Sequence, residues 1–157
     1  MRKLELDNVN KKNIQYDRKT AQNALNNVLK RIKEANKNED FIYKITKAVL
    51  FGSYINSDKE KIGDLDIAIY VELKDKTKAE TDQNYERYKR SSAHHIPFIM
   101  QFYYGKEEIF KYIKDKKKIL QLHDAVEIEN EAKRYNEDVS YIYIDKYKVI
   151  YELKANW

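Results

Sequence analysis

The run Asp64-Leu65-Asp66-Ile67-Ala68-Ile69-Tyr70-Val71 limits what this chain can fold into more than any other segment. Its β-branched and aromatic content favours a strand. Strand side chains alternate between faces, so Leu65, Ile67, Ile69 and Val71 point one way while Asp64 and Asp66 point the other. The apolar row seeks a core. The two carboxylates then stand side by side, with Cα atoms roughly 6 to 7 Å apart at about 3.3 Å of rise per residue. Like charges so placed raise each other's pKa unless a positive charge lies between them, and a hard divalent cation supplies one. Oxygen donors favour magnesium or manganese, and magnesium is usually held by one or two carboxylates together with substrate phosphates.

A second apolar strand is expected at Tyr43–Phe51, stopping at Gly52-Ser53. The missing side chain at Gly52 lets a phosphate approach the backbone, and the Ser53 hydroxyl with nearby N–H groups can donate to its oxygens. Ten residues separate Ser53 from Asp64, and two such strands can be neighbours in one sheet. Phosphate and metal would then meet.

Elsewhere Ala21, Ala24, Leu25, Val28, Leu29 and Ile32 recur at helical spacing and predict a helix over 17–34, capped by Asp17 or Thr20. The polar stretch 36–40 breaks it. Residues 54–63 read as a polar loop and 74–82 as a charged connection, followed by a helix to about Ser91 with Tyr85 and Tyr88 turned inward. Residues 96–104 resemble a buried strand ended by Gly105, with Pro97 tolerable at its first position or at a sheet edge. Ile109, Phe110 and Ile113 place a helix over 107–114, and Lys116-Lys117-Lys118 read as its solvated C-terminal end. Residues 119–124 are a short apolar piece compatible with either regular structure, and 125–134 read as helical. Runs 140–144 and 147–153 about Asp145-Lys146 suggest a hairpin. The expected fold is α+β: a mixed β-sheet flanked by helices, with a C-terminal β-hairpin, in a single domain over 1–157 whose motif core spans about 44–104.

Composition narrows the function classes. A chain of 157 residues with 42% hydrophobic content can bury a core despite being 36% charged. With no cysteine, disulfides, thiolate zinc sites and thiol nucleophiles are excluded. No apolar run follows Met1-Arg2-Lys3, and no stretch approaches the roughly 20 apolar residues of a membrane span, so a cytoplasmic protein without membrane contact is expected. A net charge of +5 suits a phosphate-bearing partner and leaves open a nucleic-acid-binding module, although a Lys-, Asn-, Ile- and Tyr-rich coding bias would give the same charge. The same bias accounts for most of the 14 tyrosines, whose alternative use is to stack bases.

At Leu50-Phe51-Gly52-Ser53 and Asp64-Leu65-Asp66-Ile67 the chain resembles the nucleotidyltransferase superfamily of DNA polymerase beta type. The signature of that superfamily is a strand, Gly-Ser, about ten residues, then Asp-x-Asp within a second strand. The resemblance covers roughly 48–71 and is similar to the small, minimal members, including those paired as antitoxins with helical RNase toxins. It implies magnesium-dependent transfer of a nucleoside monophosphate from a nucleoside triphosphate such as ATP to a hydroxyl of a protein, an RNA end or a small molecule. Gly52 and Ser53 would bind substrate, and Asp64 and Asp66 would be the metal ligands and catalytic acids. The chain departs from minimal members in carrying Ser57 where a Gly is common and Gly63 where a Ser precedes the acid pair.

Members that catalyse transfer usually add a third acid on a neighbouring strand. The strand expected at 96–104 offers Gln101 there, an amide that takes no proton at ordinary pH. This substitution motivates an alternative reading, a catalytically impaired binding protein on the same fold: an antitoxin, regulator or phage-type accessory protein. Asp124 and Glu127 are the candidate replacements. Lys59 and Lys61 could meet the triphosphate or simply be solvated. His94-His95 point to opposite faces and lack a third ligand nearby, while His123 beside Asp124 reads first as a structural contact and second as an acid/base pair.

Overall fold

A computed structural model describes residues 14–93 and 95–154. The N-terminal run 1–7 and His94 lie outside the described residues. In chain order the elements are β1 (Tyr16–Asp17), α1 (Arg18–Lys37), β2 (Tyr43–Phe51), α2 (Ser53–Asn56), β3 (Lys61–Ile62) and β4 (Leu65–Leu73). There follow α3 (Glu80–Arg90), α4 (Phe98–Gln101), α5 (Tyr104–Lys114), β5 (Leu120–Asp124), α6 (Ala125–Arg134), a 3-10 turn (Tyr141–Tyr143) and β6 (Lys148–Glu152). A four-stranded mixed sheet of order β5-β4-β2-β6 carries the fold, with a separate β1-β3 pair. The α+β architecture with a mixed sheet flanked by helices is the one expected.

The helix expected from periodicity forms. The Asp17 side chain accepts from Thr20 N at 2.7 Å and so caps α1. Ala21, Ala24, Leu25, Val28 and Ile32 are buried against one face of the sheet, and Ile109 and Ile113 of α5 join the same core. The other face is covered by Ala125 of α6 and Ile142 of the 3-10 turn, which pack on Val49, Phe51 and Ala68. β2 serves both cores by alternation, and the shift of its register against β4 between Ile45 and Lys47 keeps Tyr43 and Ile45 on the same face as Ala48 and Leu50. Beyond that bulge Ala48 and Leu50 face the first core while Val49 and Phe51 face the second, which is why the strand reads as continuously apolar.

Three sequence expectations are corrected. Residues 96–104 form no strand: Pro97 precedes the short helix α4, a position that suits its fixed φ, and Tyr104 opens α5. Phe98 and Ile99 of α4 are 67% and 70% exposed, so the apolar run does not mark a core element. No C-terminal hairpin forms either. Residues 141–143 coil into the 3-10 turn to sink Ile142 into the second core, and β6 pairs antiparallel with β2. Residues 54–63, expected as loop, contain most of α2 and β3, the latter paired with β1.

α3 forms as expected, but its buried residue is Asn84, with Tyr85 and Tyr88 only partly covered. Asn84 Nδ2 donates to Tyr43 Oη and to Glu80 O, each at 2.9 Å, and its Oδ1 accepts from Gly105 N at 2.8 Å. One amide thereby ties α3 to β2 and α5. Burial and the Glu80 carboxylate, which accepts from the Tyr43 hydroxyl at 2.6 Å, push the phenol upward so that it remains a donor. Replacing Asn84 with Ala leaves the Gly105 N–H without its acceptor and takes one donor from the Tyr43 hydroxyl, which keeps its bond to Glu80, and we expect a loss of about 1 to 3 kcal/mol in urea unfolding. An unchanged unfolding midpoint would show that the network does not contribute.

Candidate active site

The register of β2 against β4 builds the site. Phe51 is paired with Asp66, so the chain leaving Phe51 must turn directly over the Asp66 carboxylate. Gly52 makes that turn at φ 83 and ψ −158, a backbone region open essentially to glycine alone. A Cβ at this position would stand 2.6 Å from Asp66 Oδ2. The glycine is therefore required twice, by conformation and by space. Ser53 then opens α2 and is exposed beside it. Gly52 O accepts from Ile55 N, Asn56 N and Asn56 Nδ2 at 3.0 to 3.2 Å. Asn56 also reaches the chain after the 3-10 turn, its Nδ2 donating to Lys146 O at 3.0 Å and its Oδ1 accepting from Lys146 N at 3.1 Å.

Asp64 immediately precedes β4 and Asp66 lies within it, both partly buried. Leu65 between them is fully buried, and its N–H donates to Ile119 O at 2.8 Å, which fixes the start of the strand. Burial raises the Asp64 carboxyl above its ordinary value, the Asp66 charge adds to this, and His123 partly offsets it.

The residue facing Asp66 from the next strand is His123. β5 runs parallel to β4, with Gln121 opposite Asp66 and His123 opposite Ala68. His123 Nε2 lies 2.9 Å from Asp66 Oδ1, with the two side chains 28% and 23% exposed. A carboxylate only accepts, so Nε2 donates. Phe51 packs on the imidazole at 5.1 Å between ring centroids, and the Tyr141 hydroxyl stands 3.4 Å from Nδ1.

The other candidates lie elsewhere. Gln101 belongs to α4, not to a strand beside the acid pair, and its amide donates to Ile96 O at 3.2 Å. Asp124 faces the opposite side of β5 from His123, where it caps α6 and pairs with Lys106 Nζ at 2.5 Å. Glu127, whose side chain is 74% exposed, is 3.9 Å from the same ammonium. The His123–Asp124 pair does not form, because adjacent strand residues diverge. Lys59 contributes a backbone carbonyl to Arg18, and Lys61 lies opposite Asp17 in the β1-β3 pair. His95 follows the undescribed His94 in a left-handed backbone conformation. Treating 119–124 as a strand would have placed His123 on the carboxylate face by period two, but a six-residue apolar piece carries no signal that selects strand over helix.

The donor set suits a hard divalent cation: two carboxylates at the start of β4, no thiolate anywhere in the chain, and a carboxyl whose raised value a cation would relieve. Among the described residues no group of three or more His, Cys, Asp and Glu side chains is placed to hold a metal ion, so further donors would come from water or phosphate.

Two outcomes test this geometry. Gly52→Ala should cost about 1 to 3 kcal/mol in unfolding free energy because its φ is forbidden to alanine. Asp64 is held above its unfolded value, so it withdraws stability as pH rises from about 4, and Asp64→Asn should unfold at higher temperature than wild type at pH 7 in the absence of divalent cations. The advantage should vanish below pH 4; a variant less stable than wild type at pH 7 contradicts the repulsion.

No curated protein and no solved structure matches the chain. No helix of the described residues is long and apolar enough to cross a membrane. The family model of the nucleotidyltransferase domain matches residues 25–151, a span that holds Gly52, Asp64, Asp66 and His123 and runs from α1 into β6. The chain belongs to the nucleotidyltransferase domain family.

Proposed function

We propose that the chain acts as a single domain that transfers a nucleoside monophosphate from a nucleoside triphosphate to a hydroxyl acceptor, with magnesium as cofactor and manganese as its substitute. The reading is carried by the approach of Gly52 to Asp66, where backbone without a side chain lies against a carboxylate oxygen. Gly52 and Ser53 receive the triphosphate; Asp64 and Asp66 hold the metal. Members of this family typically use divalent metals. When bound, the cation neutralises phosphate charge and stabilises the charge that develops on the transferring phosphoryl group. Asp66 is held in orientation by the His123 Nε2–H, and Asp64 completes the pair.

The alternative reading, a catalytically impaired binding protein such as an antitoxin, regulator or accessory protein, rested on an amide in the place of the third acid. Gln101 lies on α4, away from the acid pair, so that amide does not occupy the place, and the group against Asp66 is His123, whose Nε2–H orients the carboxylate. Transfer is the better-supported reading.

The test is incubation of wild type and Asp66→Ala with each labelled triphosphate, magnesium and cell lysate. We expect label on an acceptor with wild type and a loss of at least about 100-fold in the variant. Equal labelling by both, or none by a folded wild type that nonetheless binds triphosphate, would favour the binding protein.

A further inference from the structure

We propose that Arg18 is a positioning residue for the nucleotide site, holding the segment that joins Gly52-Ser53 to Asp64-Asp66. The proposal rests on the nucleotide-binding reading of those four residues. α2 is a single turn, too short to persist without external support, and its end leaves carbonyls with no partner inside the helix. Arg18, the first residue of α1, supplies that support from a distant part of the chain. Its Nη1 donates to Tyr54 O at 2.9 Å, Nη2 to Ser57 O, and Nε to Lys59 O at 2.8 Å. Its guanidinium also lies 5.0 Å from the centre of the Tyr54 ring.

Three carbonyls spread over six residues are thus gathered by one planar fork, a geometry that lysine cannot reproduce. The segment continues into β3, whose Ile62 is buried in the first core and pairs with Tyr16, so the connection is fixed to residues 16–18 at both of its parts. Arg18 touches none of the four site residues in these contacts; it acts on them through the chain between them.

Arg18→Lys and Arg18→Gln would be compared with Asp17→Ala, which removes the cap of the same helix and leaves the fork in place. Amide hydrogen exchange across 53–62, calorimetry with a nucleoside triphosphate and magnesium, and manganese binding alone by electron paramagnetic resonance would be measured. In both Arg18 variants we expect faster exchange in this segment and triphosphate binding weaker by about tenfold or more, with manganese affinity within about twofold of wild type. Asp17→Ala should bind triphosphate normally even where its melting temperature falls. Unchanged exchange or unchanged triphosphate affinity in Arg18→Lys and Arg18→Gln overturns the proposal, and so does an equal weakening in Asp17→Ala. A wild type that binds no triphosphate overturns the nucleotide reading itself, and the wild-type titration separates that failure from the others.

Discussion

Everything in this structure depends on the antiparallel pairing of β2 with β4. Both strands are buried on both faces over much of their length, and their partners run from Tyr43 and Leu73 to Phe51 and Asp66. A slip of one residue would drive Asp66 into the first core and turn Leu65, Ile67 and Ile69 toward the site. Burial of these three side chains therefore fixes the register. The register in turn leaves Gly52 over Asp66 with no separate device needed to bring them together.

The site opposes this order with charge. Asp64 and Asp66 are partly desolvated and near one another, an arrangement that works against the fold and that the rest of the chain contains. His123 donates to Asp66 from β5, Asn56 links Gly52 O to the backbone of Lys146, and Arg18 grips the intervening carbonyls. Strands β4 and β5 supply the rigid groups, while Gly52 and α2 supply backbone. Like charge at the carboxylates is concentrated beside Gly52, in the part of the molecule where a bound cation would relieve it.

The strongly periodic parts of this fold were legible in the sequence. α1, β2, β4 and α5 each bury a face whose spacing is plain, and the Gly-Ser and Asp-x-Asp elements stood at the ends of the two legible strands. The failures share a cause. At 96–104 and 140–144 the residues are apolar enough for strands, but sheet membership is decided by which edge is free, and the edges of β4 and β2 are taken by β5 and β6. Phe98 and Ile99 remain outside any core, and Ile142 enters one from a 3-10 turn. His123 was noticed in the sequence but paired there with Asp124, for the same reason: its contact with Asp66 comes from parallel pairing of β5 with β4, across 57 residues that no local pattern encodes.

That separation bears on the order in which the molecule is assembled. β2 and β4 are joined by a short connection and can pair early, at small cost in chain entropy. The parallel docking of β5 must wait for the α3 to α5 segment to cross over, and the bonds from Asn56 to Lys146 close a loop of 90 residues. Chain entropy thus predicts that the carboxylate pair forms on β4 before the imidazole and the C-terminal backbone reach it, which makes the completed site a product of the whole topology.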